Sequence, residues 1–307
     1  GCVGEPLAPM PAEKCNPLLQ HVLPIQFNIE CFVSPVIKDS SAYTAEDWQK
    51  LVKYIQKLQQ KQIQHFVIIH GTDTLSYASA VLAHCLGNSA SVVLTGSQYP
   101  LLNVNGNDTR EFTDAIDNLN FALDSVSKCS SGVYLAFHHR LIHAQTALKR
   151  HTTELDAFTG IDANLAISAN TDVINVTESL IIKAQCFNCL NIMWQPIAID
   201  AQIQNLELFI ENPPHVLILQ GFGTGNIAVN DKLIQVLKSI QAKNCAVIIN
   251  SQVPFGSLDQ RYAVSEWITH ANFLVSNSFS HADLYAKALK MYLKYDSVEQ
   301  WHDHWID

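Results

Sequence analysis

The residues best suited to chemistry stand together in one short turn, Thr72-Asp73-Thr74, which follows the apolar run at 66–69. The turn offers a hydroxyl, an ionisable acid and a second hydroxyl that can cap a helix. Four apolar residues without alternation indicate a buried, parallel strand. Ligands bind at the carboxyl ends of such strands, because the loops and helix N-termini there face a crevice. We therefore predict a site at this turn, with an ordinary capped strand-to-helix turn as the alternative.

Lys149 is the third candidate for the same site. A threonine hydroxyl is a weak nucleophile until a base takes its proton, and a lysine can act as that base only when burial lowers its pKa. A neighbouring carboxylate opposes such a shift, so Asp73 is better suited to orienting a lysine. Lys149 stands in a modestly apolar stretch, but its position in the sequence does not show that it meets Thr72. A solvated loop lysine is the alternative.

Three further motifs favour other chemistries only weakly. The turn at 221–226 is spaced G-x-G-x-G, and the strand after its helix ends in Asn250 instead of an acid, which disfavours a dinucleotide site. The turn at 95–99 lacks the G-x-S-x-G elbow of serine hydrolases. Cys186 and Cys189 form a lone C-x-x-C, which disfavours a metal or redox site. We expect no metal and no organic cofactor.

Composition argues against several classes of partner. The chain has 307 residues and a net charge of -9, and its Lys and Arg residues form no stripe, so we expect no nucleic-acid partner. No apolar run approaches the roughly 18 residues that cross a bilayer, and the first residues carry no signal-peptide pattern, so we expect no membrane association. The scattered cysteines suit reduced, buried thiols, which favours a cytoplasmic location.

The elements that must position these residues alternate between strands and helices. We predict a first strand at 25–29 and further strands near 66–69, 92–94, 133–137, 216–219 and 246–249. A helix at 111–125 would place Phe112, Ile116, Leu119 and Leu123 on one buried face.

The length of the chain favours two domains. The predicted fold class is α/β, with a larger N-terminal, mostly parallel, flavodoxin- or Rossmann-like sheet and a smaller C-terminal α/β domain. We predict a catalytic domain at 1–175, in which no strand precedes the one at 25–29 although an α/β domain normally opens with a central strand, a linker at 176–198, and the second domain at 199–307.

The motifs together resemble the bacterial-type L-asparaginases, in particular their cytoplasmic, type I branch. The similarity extends from about residue 36 to the C-terminal helices. The matching segments are the second family signature His70-Gly71-Thr72-Asp73-Thr74, the substrate-binding turn Asp39-Ser40-Ser41, the turn Thr95-Gly96-Ser97-Gln98 and the glycine turn Gly223-x-Gly225-Asn226.

The resemblance implies an amidohydrolase that converts L-asparagine to L-aspartate and ammonia without a cofactor. It implies a Thr-Asp-Lys triad of Thr72, Asp73 and Lys149. It also implies that Ser40 and Ser41 hold the α-carboxylate and ammonium end of the substrate and that Asp73 pairs with the ammonium. Two further implications are that Asn226 borders the site, in a neighbouring subunit, and that the protein forms homodimers or homotetramers.

The sequence departs from the family pattern near its start. The family's first signature, T-G-G-T-[IF]-G, contains the threonine that attacks the amide, and Gly1 is similar to the glycine that ends this signature. The attacking threonine is therefore expected two residues before Gly1, and a chain that began at Gly1 would be inactive. No tyrosine precedes Tyr43, although the family's mobile loop carries one. Ala147-Leu148 replace a hydroxyl pair before the lysine.

Two other classes of function stay open. A glutaminase, a tRNA-linked amidase or another amidohydrolase of the same family would share the signatures and differ in the pocket. A non-catalytic relative that binds an amino acid would keep Ser40, Ser41 and Asp73 and lack the nucleophile.

Overall fold

The computed structural model describes residues 2–3, 8–11, 17, 19–20, 22–24, 28–256 and 266–305. The chain divides into two compact units, Gly1–Gln185 and Cys186–Asp307. Each unit contains a largely parallel sheet with helices, which confirms the predicted α/β fold class. Of the first strand predicted at 25–29, residues 25–27 lie outside the described part, and Asn28 and Ile29 belong to no strand.

The first unit is built around a four-stranded sheet. A short antiparallel ribbon, β1 (Cys2–Val3) with β2 (Ala8–Pro9), precedes it. The sheet strands are β3 (His65–Ile69), β4 (Ser91–Thr95), β5 (Gly132–Phe137) and β6 (Arg140–His143), in the order β3-β4-β5-β6. The first three are parallel and β6 returns antiparallel. Because Ile69 pairs with Thr95, the polar turns that follow β3 and β4 start side by side.

The first unit also contains a second ribbon and four further α-helices. The ribbon joins β7 (Leu148–Lys149) to β8 (Phe158–Thr159). The helices are α1 (Ala45–Gln59), α2 (Leu75–Leu86), α3 (Ala115–Val126) and α4 (Glu178–Gln185). α1 begins where the Asp47 carboxylate accepts both the N–H and the hydroxyl of Thr44, each at 2.8 Å. This capping satisfies a backbone donor at the first turn, where the helix has no partner of its own.

α3 begins later than the sequence pattern predicted. Phe112 was placed on the buried face of this helix, but it lies before the helix and is 59% exposed, whereas Leu119 and Leu123 are buried. The reason is that the Asp114 carboxylate accepts the backbone N–H groups of Gln98 and Tyr99, at 3.0 and 2.9 Å, and ties the preceding segment to the turn after β4.

The second unit has its own parallel sheet, in the order β12-β11-β10-β9. Its strands are β9 (Cys189–Met193), β10 (Val216–Gly221), β11 (Ala246–Ser251) and β12 (Leu274–Val275). Its described helices are α5 (Ile199–Glu207), α6 (Asp231–Gln241), α7 (Glu266–Ala271), α8 (His281–Lys294) and α9 (Val298–His304). Apolar side chains of β10 and β11 alternate between two clusters, one on each face of the sheet.

The segment predicted as a linker, 176–198, is more structured than expected. It contains α4, which belongs to the first unit, and β9, the edge strand of the second sheet. Both elements are short, so their hydrophobic periodicity is too weak to identify them. The predicted domain limits themselves stay a prediction.

Of the helices in the described part, none combines the length and the apolar character needed to cross a membrane. Within the same residues, no group of three or more His, Cys, Asp and Glu side chains could hold a metal ion. The described cysteines at 31, 85, 129, 186, 189 and 245 form no disulfide bond with one another. Burial raises the pKa of Cys189 and of Cys245 to about 12.

Candidate active site

Lys149 and Thr72 meet at the carboxyl end of β3, although they stand 77 positions apart in the chain. The Lys149 Nζ atom donates a hydrogen bond to Thr72 Oγ1 at 2.9 Å. Asp73 Oδ1 lies 3.6 Å from the same nitrogen. The Lys149 side chain is 21% exposed and that of Asp73 62% exposed. Lys149 is therefore not a solvated loop lysine, and its ammonium group faces both residues of the turn.

Ser76 helps to place Lys149 at the turn. Lys149 stands in β7, and its backbone N–H donates to the Ser76 hydroxyl oxygen at 3.1 Å. Ser76 is buried near the start of α2, so this bond ties the ribbon to the helix that follows Thr72. Sequence reasoning missed Ser76, because one serine in the first turn of a helix carries no signal for a partner 73 residues away.

Ser40 and Ser41 lie in a short 3-10 turn, Ser40–Ala42, that packs against the same site. The Asp39 Oδ1 atom accepts the Ser41 N–H at 2.8 Å and the Ser41 hydroxyl at 2.6 Å, and these bonds lower the pKa of Asp39. The Ser40 carbonyl accepts the Thr74 hydroxyl at 2.7 Å. The predicted substrate-binding turn is thus bonded directly to the turn that carries Thr72 and Asp73.

The turn after β4 is packed equally closely. The His70 N–H donates to the Thr95 carbonyl at 2.8 Å. A Cβ atom at Gly96 would lie 2.4 Å from the His70 carbonyl oxygen, so only glycine allows this approach. Asn118 of α3 donates from Nδ2 to the Gly96 carbonyl at 3.0 Å. Asn118 is a second residue that sequence reasoning missed, since the contact depends on how α3 packs on the sheet.

Asn226 belongs to the second unit, in the turn after β10. Its Nδ2 atom donates to Thr224 Oγ1 at 3.2 Å. Its Oδ1 atom is buried and has no hydrogen-bond partner among the described residues. The turn is tight, because a Cβ atom at Gly221 would lie 2.5 Å from the Gly225 carbonyl oxygen. Asn226 therefore has an amide oxygen available for another donor.

The first-unit cluster is suited to moving a proton at a hydroxyl group. The Lys149 amine lies between the Thr72 hydroxyl and the Asp73 carboxylate. The hydroxyl and the amine are close enough for a hydrogen bond, as is required between a nucleophile, or a group that activates water, and its base. The carboxylate orients the amine and is itself accessible to a cationic group. Acyl transfer is the class of reaction that uses such an arrangement.

Comparisons with known proteins support the same class of reaction. Residues 10–181 match a family model described as "Asparaginase, N-terminal". The chain is 26% identical over 248 residues to L-asparaginase 1 of Escherichia coli, covering 78% of this chain and 71% of that protein. It is 24% identical over 262 residues to a glutamyl-tRNA(Gln) amidotransferase chain of Thermoplasma volcanium, covering 79% of this chain and 60% of that protein.

A solved structure shares the fold. It is the thermostable L-asparaginase from Thermococcus kodakarensis, which superposes with a TM-score of 0.76 at 20% sequence identity. The superposition covers 98% of this chain and 94% of that one.

Proposed function

Since this chain belongs to the asparaginase family of amidohydrolases, we propose that it hydrolyses the side-chain amide of L-asparagine to L-aspartate and ammonia. The observation that carries the proposal is the contact between Lys149 Nζ and Thr72 Oγ1, with the Asp73 carboxylate beside the amine. Three residues that resemble a family triad in the sequence are also neighbours in space. A cytoplasmic location belongs to the same proposal and rests on the scattered cysteines and on the resemblance. A homodimeric or homotetrameric assembly also belongs to it and rests on the resemblance alone.

In the proposed reaction, a threonine that precedes Gly1 attacks the amide carbon. The C–N bond breaks, the nitrogen takes a proton and leaves as ammonia, and water then cleaves the resulting ester to give L-aspartate and the free threonine. Lys149 exchanges a proton at Thr72 Oγ1 and Asp73 orients the amine.

The edge of β3 supports a place for this upstream segment. Ile69 is 52% exposed, whereas every residue of β4 is buried. Within the described sheet β3 pairs on one side only, so its other edge presents backbone groups to which a further strand can bond. A strand that paired there would end beside the 71–74 turn.

In the proposal, three residues bind the charged groups of L-asparagine, and a fourth, Asn226, borders a site. Ser40 and Ser41 hold the α-carboxylate and ammonium end of L-asparagine, and the largely exposed Asp73 carboxylate pairs with the ammonium. Asn226 borders the site of a neighbouring subunit, where its Oδ1 atom, which has no partner among the described residues, can accept a hydrogen bond. No metal and no organic cofactor take part.

Ammonia release by the protein with its natural N-terminus tests the proposal. We expect release from L-asparagine to exceed release from L-glutamine. Thr72→Val and Lys149→Met should each lower kcat by about 10²- to 10⁴-fold, the usual contribution of positioned proton transfer. Lys128→Met is the matched control, because Lys128 is an exposed lysine paired with Asp124 on α3 and should leave kcat unchanged.

Other outcomes would contradict parts of the proposal. Unchanged turnover in Thr72→Val refutes the triad, and faster release from L-glutamine supports the glutaminase alternative. Release that requires a charged tRNA supports an amidotransferase. A protein that begins at Gly1 should bind L-aspartate in calorimetry without releasing ammonia. Turnover by that shorter protein at the rate of the longer one would overturn the role of the upstream threonine.

A further inference from the structure

His70 stands directly before the 71–74 turn, and the proposed reaction gives it no role. Its side chain is only 7% exposed. The Nδ1 atom lies 2.8 Å from the Gly71 carbonyl oxygen. The ring packs against Tyr43, with the centroids 4.7 Å apart. Tyr43 is the residue that ends the Ser40–Ala42 turn, so His70 contacts both turns of the candidate site.

The contacts of the ring decide which nitrogen carries the proton. A carbonyl oxygen only accepts hydrogen bonds, so Nδ1 is the protonated nitrogen in the contact with Gly71. Nε2 is buried and has no hydrogen-bond partner among the described residues. A proton on Nε2 would be a buried, unsatisfied donor, which is unfavourable. Burial also lowers the pKa of His70, in opposition to the bond to Gly71.

We propose that His70 is a positioning residue for the 71–74 turn and that it works only as the neutral ring with its proton on Nδ1. The inference rests on the proposed function, because the turn carries Thr72 and Asp73. The bond from Nδ1 holds the Gly71 carbonyl and with it the peptide plane that leads into Thr72. Gly71 is also the residue against which Ser40 packs. Loss of the hydrogen bond between His70 and Gly71 therefore loosens both Thr72 and the Ser40–Ala42 turn.

The charged and titratable groups around the ring are already engaged. Tyr43 covers the ring, and its hydroxyl donates to the Val36 carbonyl at 3.0 Å. Beyond it, Lys38 lies 5.5 Å from the Tyr43 ring centroid and pairs with Asp47 at 2.5 Å. On the turn side, Asp73 and Lys149 pair with each other. A charge on His70 would therefore find no free counter-ion in these groups.

The direction of the pH effect follows from the lowered pKa. Above the ordinary histidine pKa of about 6.5 the ring is neutral whether the turn is ordered or not. As the pH falls below that value, the disordered turn takes up a proton before the ordered turn does, so acid favours disorder. The ordering of the turn should be complete above about pH 6.5 and should be lost on acidification.

Side-chain nitrogen NMR of the unliganded protein tests the tautomer without any variant. His70 should show a protonated Nδ1 and a bare Nε2, and its pKa should lie below the ordinary histidine value of about 6.5. His215 serves as the internal comparison, because its Nδ1 accepts the Asn188 N–H at 3.1 Å and its proton must lie on Nε2. A His70 ring with its proton on Nε2, or already charged at about pH 7, would overturn the inference.

Two substitutions separate positioning from simple packing. His70→Asn keeps an N–H donor near the position of Nδ1 and cannot titrate, whereas His70→Phe keeps a ring and loses the donor. In the wild type, kcat for L-asparagine should fall roughly tenfold for each pH unit below the pKa of the His70 ring. In His70→Asn this dependence of kcat on pH should be much weaker. In His70→Phe, kcat should be about tenfold lower or more at every pH, because small displacements of reacting groups slow the reaction strongly. Equal acid declines in wild type and His70→Asn, or full activity in His70→Phe, refute the role.

Hydrogen exchange of the amides at 71–74 distinguishes this failure from failure of the proposed function. Their protection should drop by about tenfold per pH unit of acidification in the wild type and stay constant in His70→Asn. His65→Asn is the matched control, since His65 is an exposed histidine at the start of β3 and should behave like the wild type. If the protein has no amidase activity but shows the Nδ1 tautomer of His70 and the pH-dependent protection of these amides, the proposed function is refuted and the positioning role of His70 stands. Protection that does not depend on pH in the wild type refutes the positioning role.

Discussion

Gly71 joins His70 to Thr72, and its lack of a side chain determines how closely the two turns of the candidate site approach. An added Cβ atom would lie 2.4 Å from Ser40 Oγ and 2.7 Å from Ser40 Cβ. Both distances are far below a normal contact. Ser40 in turn accepts the Thr74 hydroxyl at its carbonyl. The spacing of the functional groups therefore depends on a residue that contributes no functional group.

Gly71→Ala should displace the Ser40–Ala42 turn and raise KM for L-asparagine more than it lowers kcat. Overpacking of a tight site costs about 1–3 kcal/mol, so the melting temperature should fall as well. Gly256→Ala is the control. A Cβ atom there meets nothing within 4 Å, and the expected cost of about 1–3 kcal/mol comes only from its positive φ of +117°. An unchanged KM in Gly71→Ala would contradict the close packing of Ser40.

At the scale of elements, α2 connects the parts of the site. It begins at Leu75, directly after the 71–74 turn, and nearly every residue in it is buried. Ser76 and Ser79 are both buried on this helix, but only Ser76 has a described partner, the Lys149 N–H. A helix in the core thus contacts a two-residue strand that stands far away in the sequence.

The two serines of α2 form a matched pair for testing that contact. Ser76→Ala leaves the Lys149 N–H without its acceptor and should cost about 1–3 kcal/mol in the free energy of unfolding, together with a loss of kcat. Ser79→Ala removes a hydroxyl that has no partner in the described part of the chain and should be neutral or slightly stabilising. Denaturant unfolding and ammonia release measure both effects. Equal changes in the two variants would refute the positioning of Lys149 by Ser76.

At the scale of the whole molecule, buried and half-buried histidines make stability depend on pH. Loss of solvent contact lowers the pKa of His70, His215, His281 and His302. Contacts at three of these positions disfavour the charged ring as well. His215 Nδ1 accepts a backbone N–H, and the Nε2 atoms of His70 and His302 are buried without a partner among the described residues. A proton on any of these nitrogens therefore has a cost in the folded state that it lacks in the unfolded state.

The free energy of unfolding should fall as the pH drops below about 6.5, because the unfolded chain then binds protons that the folded chain does not. The loss should continue until the pH reaches the lowered pKa values of the folded state. Above about pH 6.5 these four groups should contribute a constant stability. Urea unfolding at several pH values measures the slope. A stability that rises on mild acidification would contradict the burial of these rings.

The sequence by itself determined the features that local patterns encode. The apolar run at 66–69 and the polar turn after it identified a parallel strand and a candidate site at its carboxyl end. The prediction that this strand is buried was wrong at Ile69, which is 52% exposed because β3 is an edge strand of the described sheet. The alternation of strands and helices identified the α/β class. Thr72 and Asp73 are adjacent in the chain, so their proximity needed no knowledge of the fold. The resemblance added Ser40, Ser41 and Asn226 as candidates and assigned Lys149 to the triad, without showing how any of them is placed.

Tertiary structure decided which distant residues meet. Lys149 reaches Thr72 because a short ribbon returns to α2 and bonds to Ser76, and no local pattern encodes that return. Phe112 was predicted to be buried and is exposed, because the Asp114 carboxylate bonds to the turn after β4 and holds the preceding chain outside α3. Among the described residues the His70 ring has one hydrogen-bond partner, the Gly71 carbonyl oxygen, and this environment is set by packing around the ring. Hydrophobic periodicity depends on neighbours along the chain, whereas hydrogen-bond partners and burial depend on neighbours in space, and the chemistry of this site depends on the second kind.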